Sequence, residues 1–239
     1  VEDGGTWTPS HCVPRQRMLI IIPYRDREVH LKALLAHMHP ILQRQQLAYR
    51  ILVVEQNEPS LFNKAALMNA AVREALPDWE NEIDCITFQD VDTLMEDDRN
   101  LIRCGKTPVH YTVATDRENY IPYEQRRFGG VTSFTPQQFK KVNGFSNNFF
   151  GWGGEDINMY YRIVKAGFEK TTPSIYLGRY TTIQHIRKES NARNCHNSKL
   201  MLEPTLEEGF STVEYNVLQY EEFPLYTWLK IDINGNFPR

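Results

Sequence analysis

The sequence has no long apolar run, little net charge and only four cysteines among its 239 residues. Its longest apolar run is Met18 to Ile22, far short of the about 18 residues a membrane helix needs. No leader pattern of basic, then apolar, then small residues opens the chain. A net charge of −3 argues against nucleic acid or an anionic membrane surface as the main partner. No repeat and no low-complexity linker divides the chain, so residues 1–239 are expected to form a single domain. Hydrophobic residues at 41% and charged residues at 24% are ordinary for a globular protein, whereas aromatics at 12% run high.

Four cysteines allow three pairings. Cys85 and Cys104 bracket an acidic turn, and closing that loop would contribute roughly 3 kcal/mol. Cys12 and Cys195 remain, either free, paired together or lacking a partner. A disulfide would favour a secretory compartment.

The N-terminal half alternates apolar runs with helical periodicity. Residues 1–17 read as an irregular arm. MLIIIPYRDR gives a strand closed by Pro23 and then a polar turn. Glu28 to Gln46 has apolar residues at helical spacing, kinked or interrupted at Pro40. YRILVVEQN is a second buried strand, FNKAALMNAAVREAL a second amphipathic helix, and Ile83 to Asp92 a third strand ending in acid. This alternation predicts a parallel α/β sheet with crossover helices. Ligands of such sheets sit beyond the carboxyl ends of the strands, where PYRDR and QDVD both fall. Further on, short strands are expected at His110–Ala114 and Gly129–Phe134, and helices at Pro136–Asn143 and Asp156–Gly167. Pro173–His185 reads as two short strands, and Ile186 to Glu203 shows no clear element.

Four groups of residues suggest chemistry. Asp90 and Asp92 stand two apart at a strand end, where their oxygens suit a hard divalent cation that also grips phosphates. An isolated pair of this kind is more often two solvated turn residues, and the parallel-sheet context moves the reading toward a metal. His185 follows a β-branched stretch. A nitrogen ligand added to carboxylates and phosphate oxygens would suit Mn²⁺. Arg25 and Arg27 carry planar forks suited to a diphosphate, unless they are taken up by neighbouring acids. In NNFFGWGGEDINMYYRI, Gly151, Gly153 and Gly154 allow a close or mobile turn, and Trp152 offers a face for a sugar ring. Helix capping accounts for one of Glu155 and Asp156. The other is free to serve as the base that takes a proton from an attacking hydroxyl.

Together, TWTPSHCVP, IIIPYRDREVHLK, HPILQRQQLAYRI, FNKAALMNAA, QDVD, FGGVTSFT, NGFSNNFFGWGGED and PLYTWLKIDI resemble the catalytic domain of the β-1,4-galactosyltransferase family. These are inverting, Mn²⁺-dependent glycosyltransferases of the Golgi. The resemblance runs nearly end to end. It implies a GT-A fold, an α/β, Rossmann-like architecture whose central sheet is mixed but mainly parallel. The N-terminal half would bind the nucleotide sugar, and the C-terminal half would bind the acceptor and supply a lid. It further implies galactose transfer from a UDP-sugar to a glycan hydroxyl, and a membrane-anchored parent facing the Golgi lumen.

By resemblance, Asp92 and His185 are metal ligands and Asp90 their companion near the nucleotide. Pro23, Arg25, Arg27, Phe62 and Lys64 line the UDP site. Tyr123, Arg127, Gly129, Trp152, Gly154 and Glu155 bind substrate, Asp156 is the base, and Cys85 pairs with Cys104. Several positions depart from the family. Thr182 stands where a methionine ligand is usual, and Lys64 where arginine is usual. Arg127 replaces the tyrosine of galactose-specific members, and it is not the small apolar residue associated with N-acetylgalactosamine transfer. Ile157 and Asn158 replace acidic residues, one of which helps hold an N-acetylglucosamine acceptor. The segment after His185 aligns poorly. Alternatives are a UDP-N-acetylgalactosamine or UDP-N-acetylglucosamine transferase, or a catalytically weak carbohydrate-binding protein.

Overall fold

The computed structural model describes residues 1–57, 60–79, 82–184 and 195–233. Strand β1 is Thr6–Trp7, β2 Arg17–Tyr24, β3 Ala48–Gln56 and β4 Cys85–Gln89. Helices α1, Glu28–Arg44, and α2, Lys64–Trp79, connect them. The shorter elements are β5 (Thr93–Met95), β6 (Val109–His110), β7 (Ala114–Thr115), β8 (Val131–Phe134) and α3 (Pro136–Lys141). Helix α4 (Glu155–Lys165), β9 (Arg179–Thr182), α5 (Cys195–Leu200), β10 (Tyr215–Phe223) and β11 (Tyr226–Ile233) follow.

The main sheet runs β10-β11-β3-β2-β4-β8-β6, with β1 also paired to β3. Its centre, β11-β3-β2-β4, is parallel, and the flanking pairs β10-β11, β4-β8 and β8-β6 are antiparallel. Strand β2 explains why the sheet is covered on both sides. Its residues Leu19 and Ile21 pack with α2, α3 and α4, while Met18, Ile20 and Ile22 pack with α1. Alternate side chains of a strand leave by opposite faces, so an unbroken apolar run needs two apolar neighbours. Each fully buried aliphatic side chain contributes about 1.5–3 kcal/mol.

The parallel core matches the sequence reading, and several details differ. Pro40 lies inside an unbroken α1, whose Leu34, Leu35, Met38, Ile41 and Leu42 are buried around it. The arm at 1–17 contains β1, which pairs with Arg50 and Tyr49 of β3. Strand β4 stops at Gln89, because Asp90 already accepts from Thr93 N at 3.3 Å in a turn. One strand, β9, replaces the two expected between 173 and 185, and α5 forms where no element was expected. The sequence reading assigned no structure to the β10–β11 hairpin that closes the sheet. Cys85 and Cys104 form a disulfide, and Cys12 is exposed and free. Among the described residues, no helix is long and apolar enough to cross a membrane.

Candidate active site

The site forms where four pieces of chain meet beyond the carboxyl ends of β2 and β4. Pro23 is buried in β2, and Arg25 is buried just after it. Arg25 donates to the Ser60 carbonyl at 2.8 Å and lies 5.1 Å from the centre of the Phe62 ring. Arg27 occupies the N-cap of α1, where its carbonyl accepts from Leu31 N. Asn63 caps α2 by accepting from Ala66 N at 2.9 Å, which places Lys64 on the first turn facing β4. Asp90 follows β4, and its backbone N–H donates to the Gly130 carbonyl at 3.0 Å, joining QDVD to FGG. Helix α4 begins at Glu155, with Asp156 beside it.

Lys64 is the hub. Its Nζ lies 2.8 Å from Asp90, 3.6 Å from Asp156 Oδ1 and 3.7 Å from Glu155. Arg127 Nε lies 4.0 Å from the other oxygen of Asp156, and its guanidinium stacks 3.8 Å over the Tyr123 ring. Tyr123 is fixed by a 2.8 Å hydroxyl contact with Thr115, and Lys170 donates to the Arg127 carbonyl at 2.8 Å.

Three carboxylates facing one lysine do not ionise independently. Burial raises Asp90 to about 6; Lys64 opposes the rise, and Asp156 and Asp92 add to it. Burial and then the Asp156 charge raise Glu155 to about 7. Burial works against the Lys64 charge, but Asp156, Asp90 and Glu155 outweigh it and hold its pKa above the ordinary lysine value. Asp156 Oδ1 is buried and, among the described residues, accepts no hydrogen bond. A buried carboxylate oxygen without a donor is unusual in a folded protein, and here it faces the site.

Asp92 lies next to β9. Its carbonyl accepts from Ile183 N at 2.8 Å, and Thr93 pairs with Thr182. The chain leaving β9 therefore starts toward residue 185 alongside Asp92. His185 itself is outside the described residues, and among those residues no three His, Cys, Asp or Glu side chains form a metal cluster. The carboxylate oxygens of Asp90 and Asp92 are the donor type that suits a hard divalent cation. Thr182, at the departure from methionine, donates its backbone N–H to Asp116 at 2.8 Å.

The glycine turn is held from both sides. Gly151 N donates to the Phe62 carbonyl at 2.8 Å. Asn197, from α5, donates to the carbonyls of Phe150 and Gly153 at 3.1 and 2.9 Å. Gly154 sits at φ 98°, and a Cβ there would lie 2.8 Å from the Phe149 ring. Trp152 is 46% exposed between these anchors. Asn158 is buried and donates to the Leu200 carbonyl at 2.9 Å, so it ties α5 to α4. Sequence reasoning missed Asn63, although an asparagine just before a helical run is a local N-cap signal, and Asn197, whose partners lie far along the chain and leave no local pattern.

Residues 1–105 match the family model described as the N-terminal region of glycosyl transferase group 7. Residues 110–186 match the one described as the N-terminal domain of galactosyltransferase. The chain is 43% identical over 244 residues to β-1,4-galactosyltransferase 3 of Bos taurus, covering all of this chain and 61% of that protein. Among solved structures, the catalytic domain of Drosophila β-1,4-galactosyltransferase 7 in complex with xylobiose aligns with a TM-score of 0.81 at 26% identity. That alignment covers 92% of this chain and 95% of the other. A mutant of the same enzyme, complexed with manganese, UDP-Gal and xylobiose, aligns at 0.79 with 25% identity, over 92% and 95%.

Fold and site together define the GT-A class of glycosyltransferases. Within that class, the chain belongs to the β-1,4-galactosyltransferase family. It spans 61% of the length of the bovine relative.

Proposed function

We propose that residues 1–239 act as one catalytic unit that moves a hexose, galactose first among candidates, from a UDP-sugar to a sugar hydroxyl with inversion and β-1,4 linkage. The observation that carries this reading is the buried Asp156 Oδ1, which accepts no hydrogen bond among the described residues and stands beside Lys64 and Glu155. That oxygen is placed to accept the proton of an acceptor hydroxyl. The relatives' manganese, UDP-Gal and xylobiose complex supports the substrate classes and the metal.

Arg25, Arg27, Phe62 and Lys64 line the diphosphate and nucleoside side with Pro23 and Asp90. Tyr123, Arg127, Gly129, Trp152, Gly154 and Glu155 surround the sugars. Mn²⁺ held by Asp92 and His185 would neutralise the diphosphate as it leaves. Asp156 takes the hydroxyl proton while the acceptor oxygen bonds to the anomeric carbon. The bond from that carbon to the phosphate oxygen breaks on the opposite face. Arg25 and Lys64 offer cationic donors to the departing UDP. The Trp152 turn excludes water from the sugar. The disulfide suits an oxidising lumen and accords with a Golgi site for a membrane-anchored parent.

One observation favours a second reading. The guanidinium of Arg127, stacked on Tyr123 beside the base, is a donor suited to the acetamido carbonyl of an N-acetylhexosamine. The test is UDP release from UDP-galactose, UDP-N-acetylgalactosamine and UDP-N-acetylglucosamine, with Mn²⁺ or chelator, over an acceptor panel that includes xylobiose. Chelator-sensitive release from UDP-galactose, rising with one acceptor, is expected. Release confined to an N-acetylhexosamine donor would establish the second reading. No release from any donor would leave a carbohydrate-binding protein.

A further inference from the structure

One flank of the base is cationic, although the chain as a whole carries a net charge of −3. Tyr160 stands four residues after Asp156 on α4, so the two side chains are neighbours on one helix face, about 5–6 Å apart at their Cβ atoms. The Lys170 ammonium lies 5.7 Å from the centre of the Tyr160 ring and donates to the Arg127 carbonyl at 2.8 Å. The Tyr161 ring, 5.5 Å from that of Tyr160, has its hydroxyl 3.5 Å from Arg126 Nη1. Arg127 itself reaches Asp156 Oδ2 at 4.0 Å. The cations Arg126, Arg127 and Lys170 and two adjacent aromatic rings thus extend from the base along α4.

Among the described residues, acids do not balance these cations. Arg126 meets Glu124 at 3.3 Å, in a pair exposed on both sides, and such pairs hold weakly. Arg127 shares Asp156 with Lys64. Lys170 is half-buried, and burial lowers its pKa to about 8 with no carboxylate opposing the shift. An ammonium has three N–H donors, and the Arg127 carbonyl takes one. A cation drawn out of water without an anion is costly, and a ligand oxygen would relieve that cost.

Resting on the transferase reading, we propose that this flank is an acceptor subsite for an anionic group, a carboxylate or a sulfate ester, on the sugar next to the one that carries the attacking hydroxyl. Lys170 and the planar fork of Arg126 bind the anion's oxygens, and Tyr161 packs on the ring that bears it. The lysine lies against Tyr160, one helical turn from the base, which assigns the anion to the neighbouring sugar. The donor's phosphates belong to the Asp90 side of Lys64, so the two negative groups do not compete.

The experiment measures UDP release with Mn²⁺ from UDP-galactose, UDP-N-acetylgalactosamine and UDP-N-acetylglucosamine. The acceptors are disaccharides whose terminal sugar is xylose, glucose or N-acetylglucosamine. Each is supplied with a second sugar that is neutral glucose, glucuronic acid or sulfated glucose. The wild-type chain is expected to show a KM about tenfold lower for an anionic acceptor than for its neutral match, because charge-assisted hydrogen bonds are the strong ones, with kcat little changed. A gain with glucuronic acid only, or with sulfate only, would support the subsite and name its anion. R126Q, K170Q and the double variant are expected to bring the two KM values together, and K170R to keep them apart. Should the Lys170 variants not fold, R126Q, altered at an exposed side chain, still decides. Equal KM values in wild type, or a preference that survives these neutral substitutions, would overturn the inference. UDP release that no acceptor stimulates would overturn it while leaving the donor chemistry standing. No release from any donor would overturn the transferase reading itself, and this inference with it.

Discussion

The carboxylate of Asp156 fills the space that a side chain at residue 129 would need. A Cβ built on Gly129 would lie 1.9 Å from Asp156 Oδ2 and 2.1 Å from its Cγ. The absence of a side chain in FGG is thus a condition for the position of an acid on another element.

Gly129→Ala is expected to push Asp156 out of place without touching the nucleotide side. A misplacement of about 1 Å can cost about 10²-fold in rate, so kcat should fall by that order. UDP binding with Mn²⁺, read by calorimetry, should stay close to wild type. Wild-type turnover in this variant would mean that the base is positioned some other way.

Asp156→Asn keeps the shape and removes the proton acceptor. Turnover should fall by about 10²–10⁴-fold, with UDP affinity retained. Steady-state kinetics beside UDP titrations check both halves. Unchanged turnover would take Asp156 out of the base role.

Glu155 titrates in the folded chain at about 7, raised by burial and then by Asp156. The folded chain therefore binds this proton more tightly than the unfolded one, and stability is lost as pH rises from the ordinary glutamate range through 7. Glu155→Gln should unfold at a higher temperature than wild type at pH 8 in the ligand-free state. At pH 4, where both carry a neutral side chain, the difference should vanish. Melting curves across that range are the measurement.

His110 has the opposite sign. Burial, with Lys170 and Arg127 adding to it, lowers its pKa to about 3, and its ring packs 5.7 Å from that of Phe128. The unfolded chain takes up the proton first, so stability is lost as pH falls from the ordinary histidine value toward 3. His110→Phe should flatten that slope in denaturant titrations between pH 6.5 and pH 4, whatever its effect at neutral pH. A slope as steep as wild type would place the acid sensitivity elsewhere.

The parallel core was legible because its strands announce themselves. Met18 to Ile22 and the apolar part of YRILVVEQN are short runs of aliphatic residues closed by polar turns, and the intervening helices keep their period. The C-terminal hairpin was not. Strand β10 is mostly exposed, so it carries little hydrophobic alternation. The alternating burial of β11 was within reach of a period-two reading of YTWLKIDI after the Pro224–Leu225 turn. In the site, Asp90, Asp92, Glu155 and Asp156 stood out as local pairs, since strand ends and helix starts are where such pairs act. That Lys64 joins Asp90 to both α4 acids could not be read locally, because the partners lie about 26 and 92 residues away along the chain. Electrostatic meetings of that kind are set by topology, and spacing does not reveal them.

Helix α4 also grips the chain behind it. Arg162, fully buried, donates to the carbonyls of Gly144, Asn143, Thr205 and Glu208 and pairs with the Glu208 carboxylate. Upstream, Ile183 is tied to Asp92, and Asn197 is tied to the turn around Trp152. The stretch between residues 184 and 197 is therefore spliced at both ends onto the body that carries the base. One helix thus carries the base on its first turn and, further along, the anchor of residues 205–208. Drift in that anchor would reach the chemistry through the helix itself, so inheritance of the base constrains residues that never meet a substrate.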